Sequence, residues 1–480
     1  MGEKEREAME AGAPEREEER SGQEAAAQAV IEASKGPIGS GDGRLDGERK
    51  AAPERMDGGN KAGQAVEAAP ERMDGGNMAE KAVGAAPERM DGGNKAGQAV
   101  EAAPERGCLP GGELGDEGPQ TPFILIRSAR VDANIASMAE AAARRGVKLR
   151  PHVKTHKLPE LAARQLAAGA VGITAAKLSE AEVMADGGIG DIFIAYPVMG
   201  AAKARRAASL AQRCRLAVGV DSAAGARHLS AAAEAAGIAL EVRLEIETGL
   251  RRTGVAPEAA LPLAREIAAM PGLDLTGIFT YRGAMLGGAP TMDLRAAGHE
   301  EGRMMAAVAQ ELRRGGVPIR DVSVGSTPTA VYAAEIEGVT EIRPGTYVFH
   351  DRMQAAFGLC KLDDCAAEVW VTVVSRPATD RIVIDGGSKT FATDVQPGGA
   401  PLQLQGFGHV VGLPHAVFER MNEEHGVIRV RPEDDCQPGD LLRVIPNHIC
   451  STVNLHSSVY ISDKDGGLRR VPVAARGCIQ

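Results

Sequence analysis

Residues 171–198 read VGITAAKLSEAEVMADGGIGDIFIAYPV and contain one complete strand–helix–strand unit. The apolar and β-branched runs at its two ends are typical of buried strands, and the alanine-containing, acidic stretch between them is typical of a helix. Two strands joined by a helix in this way run parallel, with a right-handed crossover. The unit therefore predicts an α/β fold built on a parallel sheet.

The same alternation continues on both sides of this unit. Helical stretches such as KLPELAARQLAAG (157–169) separate most of eight strand-like runs that follow FILI (123–126), namely VKLRPHVK (147–154), VGITAAK (171–177), DIFIAYPV (191–198), RLAVGVD (215–221), ALEVRLEIE (239–247), LTGIFTY (275–281), VSVGS (322–326) and TEIRPGTYVF (340–349). Eight such units predict a TIM-type (β/α)8 barrel over residues 119–356, with the active site at the C-terminal ends of its strands.

The pattern changes after about residue 356. Strand-like runs now follow one another with turn residues and no long helices between them, namely CAAEVWVTVVSRP (365–377), DRIVIDGG (380–387), HGVIRVRP (425–432), DLLRVIPNHIC (440–450) and SVYISD (458–463). Residues 357–480 are therefore predicted to form a C-terminal all-β domain. FILI (123–126) is a candidate additional strand of its sheet.

Residues 1–118 have a different composition. The segment AAPERMDGGN begins at Ala51, Ala68 and Ala85, and AAPER recurs at Ala102, which is a period of 17 residues. Each repeat contains Pro, Gly-Gly and charges but almost no apolar residues to bury, so it cannot offset its chain entropy. We predict a disordered low-complexity tail.

The whole-chain composition excludes several classes of protein. With 55 Lys+Arg against 65 Asp+Glu and no basic block, the chain is a poor candidate for a nucleic-acid partner. No apolar run is long enough for a membrane span, and the charged start is not a secretory signal. We expect a cytoplasmic protein. The seven cysteines include no CxxC pair, so no disulfide framework is predicted, and most thiols are expected to be reduced.

The sharpest local motif is PHVKTHK (151–157), at the end of the first predicted barrel strand. Alternation along a strand would place Arg150, His152 and Lys154 on one face. A lysine that is partly desolvated in a barrel mouth, or lies beside other cations, is held as the neutral amine that forms Schiff bases. For this heptapeptide alone, a solvated basic loop is the alternative.

Three further features lie at predicted strand ends. The small-residue turn GSTPT (325–329) follows the seventh strand, where such barrels frequently bind phosphate through backbone N–H groups and hydroxyls. An ordinary turn capped by Ser or Thr is the alternative. Arg252, within GLRRTG (249–254), offers a guanidinium group to the barrel mouth. Tyr281, at the end of the sixth strand, offers a phenol.

The β domain contains IPNHICSTVNL (445–455), in which His448 and Cys450 are two residues apart. On a strand the two side chains would face the same way and could bind one divalent ion. Two protein ligands leave positions open for water and substrate, which suits a catalytic metal better than a structural one. A buried cysteine beside a hydrogen-bonded histidine is the alternative.

Together these motifs resemble the D-serine dehydratase and D-threonine aldolase family of fold-type III pyridoxal phosphate enzymes. The resemblance runs from about Thr121 to Val473 and is carried, in this order, by PHVKTHK (151–157), GSTPT (325–329), EIRPGTYVFHD (341–351) and PNHICSTVNLH (446–456). It implies an alanine racemase-like barrel, a following β domain, a pyridoxal 5'-phosphate cofactor, a small D-amino acid as substrate and a homodimer.

The resemblance also implies a role for each matched residue. Lys154 would bind the cofactor covalently and act in catalysis, and His448 and Cys450 would bind the metal. The remaining cofactor-binding residues would be His152, Arg252, Tyr281, Gly325, Ser326 and Thr327.

The predicted function is a metal-dependent lyase that acts on D-3-hydroxy amino acids. Dehydratases of the family resemble this chain in having HxC, whereas its aldolases have HxD. A thiolate favours zinc, and a carboxylate suits manganese or magnesium. We therefore predict elimination of the D-serine dehydratase type, giving an oxo acid and ammonia, with zinc as the metal and manganese or magnesium as alternatives. Retro-aldol cleavage to glycine and an aldehyde, the D-threonine aldolase reaction, is the alternative.

Two other classes share parts of this pattern. An amino-acid racemase would use the same barrel and lysine, but with a second catalytic acid and no metal. A non-enzymatic pyridoxal phosphate carrier would resemble the barrel alone. The HxC motif argues against the racemase, and the β domain together with that motif argues against the carrier.

Overall fold

The computed structural model describes residues 107–109, 118–462 and 467–480. The repeats predicted to be disordered lie outside the described residues. Within the described part, strands and helices first alternate and a strand-rich region follows. The predicted order of a barrel and then a β region is confirmed.

The alternating part contains eleven strands and nine helices among the described residues. In chain order these are β1 (Phe123–Arg127), α1 (Ser128–Arg144), β2 (Lys148–Leu149), α2 (Pro159–Ala167), β3 (Ile173–Ala175), α3 (Leu178–Asp186), β4 (Asp191–Pro197), α4 (Ala201–Ala211), β5 (Arg215–Val220), α5 (Ala223–Ala236), β6 (Leu240–Glu245), α6 (Pro257–Ala268), β7 (Leu273–Phe279), β8 (Met285–Leu286), β9 (Ala289–Pro290), α7 (Leu294–Arg314), β10 (Asp321–Val324), α8 (Ala330–Ala333), β11 (Glu341–Ile342) and α9 (Arg352–Ala356).

All eight predicted barrel strands are present, and their observed neighbours in the sheet pair in parallel. They follow the order β2–β11–β10–β7–β6–β5–β4–β3. A parallel bridge between His152 and Thr174 joins the two ends of this sheet, so that it closes into the predicted barrel. The strand interiors are buried, as in Ile192, Phe193 and Ile194 at 0% exposure, because helices cover the outer face of a parallel sheet.

The first barrel strand is shorter than predicted. Extended pairing in β2 ends at Leu149, and the chain turns into a 3-10 helix at Val153–Thr155. The expectation that Arg150, His152 and Lys154 share one strand face is therefore wrong. Arg150 is buried in the barrel interior, whereas Lys154 lies on the helical turn beyond the strand and is only partly buried.

The strand-rich part consists of β12 (Ala367–Ala378), β13 (Arg381–Ile384), β14 (Gly408–Val410), β15 (Val417–Met421), β16 (Gly426–Arg429), β17 (Leu441–Pro446), α10 (Ile449–Leu455), β18 (Ser458–Ser462) and β19 (Leu468–Pro472). The five predicted strands correspond to β12, β13, β16, β17 and β18. β1 pairs with β12 and β18, which confirms that FILI belongs to this sheet. The short strands β14, β15 and β19 were not predicted.

One disulfide corrects the cysteine prediction. Cys108 and Cys436 are bonded to each other, across 328 residues of sequence. This single pair was not predicted, whereas Cys214, Cys360, Cys365, Cys450 and Cys478 are free, in agreement with the expectation that most thiols are reduced. Leu109 also pairs with Leu441, so the end of the predicted tail is attached to the β region.

Charged groups rather than apolar ones fill part of the barrel interior. Glu341 is fully buried and accepts hydrogen bonds from Arg150 at 2.8 Å, Arg243 at 2.6 Å and the Ser323 hydroxyl at 2.6 Å. Burial by itself would raise the pKa of Glu341, but Arg243 and Arg150 outweigh it and lower the pKa to about 2. Every acceptor oxygen of this carboxylate therefore has a cationic partner.

Glu341→Gln is expected to reduce the free energy of unfolding by about 3–5 kcal/mol, because it leaves two buried guanidinium groups without their shared anion. Glu337→Gln, at an exposed position on the preceding loop, is the matched control and should change it little. Urea unfolding measures both. Since the pKa of Glu341 is depressed in the folded state, the wild-type advantage should be present above about pH 5 and disappear as the pH falls toward 2. Equal stability of the two variants would contradict this.

Candidate active site

The loop that contains Lys154 is held by local hydrogen bonds. His152 precedes the 3-10 helix, and its Nδ1 accepts the backbone N–H of Lys154 at 3.4 Å. Burial, followed by the charges of Lys154 and Arg343, lowers the pKa of His152 well below its usual value. The imidazole is therefore neutral, as the accepting Nδ1 requires.

Three of the predicted residues meet at the ring of Tyr281. The Lys154 Nζ lies 5.3 Å from the centroid of this ring, and the Arg252 guanidinium carbon lies 4.9 Å from it. Both distances are typical of cation–π contacts. The three side chains come from the loops after β2, β6 and β7. The structure thus places an amine, a guanidinium group and an aromatic ring together at the C-terminal end of the barrel.

The GSTPT turn follows β10 at the same end of the barrel. Gly325 has φ +85°, and a Cβ at this position would lie 2.8 Å from the Cα of Ala330, so glycine is required by both conformation and space. Ser326 and Thr327 are almost fully buried. The Thr327 Oγ1 accepts the N–H of Tyr347 at 3.2 Å, which leaves its O–H available to donate.

Glu301, on α7, is hydrogen-bonded to this turn. The sequence analysis did not identify it. It is fully buried; its carboxylate accepts the Gly325 N–H at 3.2 Å and the Thr329 hydroxyl at 3.3 Å. Burial raises the pKa of Glu301 to about 6. The group can therefore take up a proton near neutral pH, which reduces its repulsion of an anion bound at the turn.

His448 and Cys450 come together, but by a different route from the predicted one. The predicted strand ends at Pro446, His448 is the N-cap of α10, and Cys450 is the second residue of that helix. The premise of a shared strand face is wrong. The His448 Nδ1 donates to the Asp394 carboxylate at 2.6 Å, and the Ser451 hydroxyl donates to the same oxygen at 2.9 Å.

The charges of this pair are coupled. Burial alone would lower the pKa of His448, but the Cys450 sulfur and the Asp394 carboxylate outweigh it, so the pKa lies well above its usual value. Burial alone would raise the pKa of Cys450, but the charge of the neighbouring His448 outweighs burial. The pKa of Cys450 is therefore lowered. Among the described residues, no group of three or more His, Cys, Asp and Glu side chains is arranged to hold a metal ion.

The Cys450 sulfur contacts the loop that carries Lys154. Its Sγ lies 3.2 Å from the Oγ1 of Thr155 and 3.4 Å from the Oγ1 of Thr346. Thr155 follows Lys154 directly in the chain. The two halves of the predicted site, separated by about 300 residues of sequence, are therefore adjacent in space.

Known proteins share this arrangement of domains. The family model described as alanine racemase, N-terminal domain, matches residues 126–353, and the putative serine dehydratase domain matches residues 366–462. A D-threonine aldolase of Arthrobacter sp. is 33% identical over 365 residues, which cover 74% of this chain and 93% of that protein. The chain belongs to the D-serine dehydratase and D-threonine aldolase family. It is accordingly an enzyme of a family of pyridoxal phosphate-dependent lyases.

Other members of the family are similar to this chain in sequence and in structure. The D-threo-3-hydroxyaspartate dehydratase of Delftia sp. is 36% identical, with 69% of this chain and 91% of that protein covered. The crystal structure of D-threonine aldolase from Filomicrobium marinum superimposes with a TM-score of 0.68 at 29% identity, covering 79% of this chain and 100% of that one. Among the residues that the structure describes in this chain, no helix is long and apolar enough to cross a membrane.

Proposed function

We propose that the chain is a pyridoxal phosphate- and metal-dependent lyase that removes water from D-3-hydroxy amino acids, in the manner of a D-serine dehydratase. The single observation that carries this proposal is the 3.2 Å contact between the Cys450 sulfur and Thr155. This contact places the proposed metal ligands against the loop of the proposed cofactor lysine. A reaction in which metal and cofactor act on the same substrate requires that proximity.

The residues around Tyr281 fit the cofactor. When bound, pyridoxal phosphate supplies an electron sink for the substrate's Cα, and a divalent metal supplies a Lewis acid for its 3-hydroxyl. Lys154 would hold the cofactor through Nζ and, once released, take the proton from Cα. Arg252 and Tyr281 would contact the ring.

The turn after β10 fits the cofactor's phosphate group. Gly325 permits the close turn, and the Thr327 hydroxyl would add a donor. The Ser326 hydroxyl, which bonds to Thr329 at 3.0 Å, would donate to the phosphate after rotating away from Thr329. His152, which is neutral, would orient the lysine loop without adding a second positive charge beside Nζ. These assignments agree with the roles implied by the family resemblance.

The metal would be bound by His448 and Cys450. Because the Nδ1 of His448 is hydrogen-bonded to Asp394, its Nε2 is the nitrogen left for the metal. The thiolate favours zinc over manganese or magnesium. In support, a cysteine-to-alanine variant of a D-threo-3-hydroxyaspartate dehydratase has been solved in a metal-free form. A histidine-to-alanine variant solved under the same enzyme name is numbered two positions before that cysteine, which is the spacing of His448 and Cys450.

Retro-aldol cleavage is the second candidate, because aldolases and dehydratases are both among the relatives. The chain is 33% identical to a D-threonine aldolase and 36% identical to a D-3-hydroxyaspartate dehydratase. The two reactions break different bonds of the same substrate. In elimination, a base such as Lys154 takes the Cα proton; in cleavage, a base takes the proton of the 3-hydroxyl. The HxC spacing of His448 and Cys450 favours elimination.

Incubation of the purified holoenzyme with D-serine, D-threonine and D-3-hydroxyaspartate distinguishes the two reactions. We expect ammonia and an oxo acid in equal amounts, and no product after full chelation of the metal. The corresponding L-amino acids are the control. Glycine and an aldehyde would indicate the aldolase instead. Racemisation that persists after chelation, or no product from any D-substrate, would refute both lyase assignments.

We also propose that the enzyme is a cytoplasmic homodimer, which rests on the family resemblance. Light scattering of the full chain and of a chain lacking residues 1–106, which keeps Cys108 for the disulfide with Cys436, would test the dimer and any contribution of the repeats. Two copies in both samples, with equal activity, are expected. A change of assembly on deletion would assign that role to the repeat segment.

A further inference from the structure

A second group of reactive side chains lies outside the proposed active site. Cys365 is fully buried against Val411 and Ile445, and Cys360 packs against the same small cluster. The chain between the two cysteines forms the 3-10 helix Leu362–Asp364, and the Cys365 N–H donates to the Leu362 carbonyl at 3.0 Å. This turn places both side chains in one cluster, in which the Cys365 Sγ donates to the Lys361 carbonyl at 4.0 Å and Cys360 stays partly accessible.

His350 completes this group. Its Nδ1 is buried and has no hydrogen-bond partner among the described residues, and its imidazole interacts with the Cys360 thiol. The neighbouring Cys365 side chain, with a further contribution from His350, outweighs burial and lowers the pKa of Cys360 to about 6. The interaction with Cys360, together with burial, raises the pKa of Cys365. Cys360 is thus the partly accessible sulfur of the pair, with a lowered pKa, and Cys365 is the buried one.

None of these three side chains has a part in the lyase site described above. We propose that Cys360 and Cys365 form a peroxide-reactive thiol pair that closes to a reversible disulfide. The Cys360 thiolate attacks one oxygen of a hydroperoxide, the O–O bond breaks, and water or an alcohol leaves once protonated. The Cys365 thiol then attacks the resulting sulfenic acid, and a second water leaves. Two thiols and one hydroperoxide yield one disulfide, one water and one further water or alcohol.

The pair is connected to the metal-binding segment through the backbone. His350 precedes Asp351, whose buried carboxylate accepts the N–H of Ile449 at 3.1 Å. Ile449 lies between His448 and Cys450, the proposed metal ligands. The Ala366 N–H, next to Cys365, donates to the Phe349 carbonyl at 2.6 Å and so joins the cysteine pair to the segment that carries Asp351. Oxidation is therefore expected to reduce lyase activity reversibly. Only this consequence rests on the proposed function; the thiol chemistry does not.

Mass spectrometry of the holoenzyme treated with hydrogen peroxide tests the proposal. Trypsin cleaves after Arg352, Lys361 and Arg381 but not at the Arg376–Pro377 bond, so the disulfide would link the peptides 353–361 and 362–381. We expect these linked peptides after about one equivalent of peroxide and their separation by dithiothreitol. In Cys365→Ser, oxidation should stop at a sulfenic acid on Cys360 that a dimedone probe traps. In Cys360→Ser, Cys365 should remain unmodified.

Cys214 is the matched internal control, because it is a free, partly buried cysteine whose pKa burial raises. At pH 7 the alkylation of Cys360 by iodoacetamide should be about fivefold faster than that of Cys214, since the larger thiolate fraction outweighs the lower nucleophilicity of a more acidic thiol. Absence of the linked peptides under these conditions, or equal alkylation of the two thiols, would overturn the proposal. Linked peptides without loss of lyase activity would refute only the coupling through Asp351.

Discussion

Lys154→Ala is expected to abolish the visible absorbance of the lysine-bound cofactor and to lower kcat for D-3-hydroxy amino acids by at least about 10³-fold. The variant lacks the amine that we propose holds the cofactor and also transfers the Cα proton, and a positioned proton-transfer group alone is worth about 10²–10⁴-fold. Absorbance spectroscopy after reconstitution with pyridoxal phosphate, together with an ammonia assay, measures both effects. The fold should be retained, because the Lys154 side chain is partly exposed and forms no buried ion pair.

Lys177→Ala is the control for this experiment. Lys177 follows β3 and lies over the ring of Tyr196, with its Nζ 3.5 Å from the ring centroid, so it is another lysine at a C-terminal strand end of the barrel. This variant should keep the absorbance band. If the band survived in Lys154→Ala and disappeared in Lys177→Ala, the cofactor lysine would be misassigned.

Removal of either proposed metal ligand should separate cofactor binding from the lyase reaction. His448→Ala and Cys450→Ala are expected to keep the absorbance band of the lysine-bound cofactor and to lose bound metal. Their kcat should fall about 10³-fold, since a Lewis-acid metal stabilises the transition state by several kcal/mol and each 1.36 kcal/mol is a factor of ten. Elemental analysis and the product assay measure these effects.

Two more variants provide a case of intermediate effect and a control. Asp394→Asn removes the carboxylate that orients His448 and should weaken metal affinity by about 10- to 100-fold, without abolishing activity at saturating metal. His425→Ala, at an exposed position of the same part of the chain, should behave as wild type. Full activity of metal-free Cys450→Ala would show that the reaction does not need the ion.

Local patterns in the sequence predicted most of the fold. All eight barrel strands were identified, because apolar runs separated by helical stretches report directly on a buried parallel sheet. The predicted strand FILI (123–126) does pair with the β region. The errors occur where the chain departs from regular periodicity. Lys154 lies on a 3-10 turn instead of a strand, and His448 begins a helix instead of continuing β17. Although the local conformation differs, Lys154 still lies beside Tyr281, and His448 still lies beside Cys450.

Sequence alone therefore predicted which residue types would carry the chemistry and in what order: a lysine after the first barrel strand, a small-residue turn after the seventh, and a His–Cys pair in the β region. Only the tertiary structure decided that the Cys450 sulfur lies against Thr155, that Glu301 supports the turn at Gly325 and that Asp394 orients His448. These contacts join residues that are 295, 24 and 54 positions apart. Sequence periodicity reports only on residues that are neighbours along the chain. It therefore cannot predict contacts that form when distant segments pack against each other.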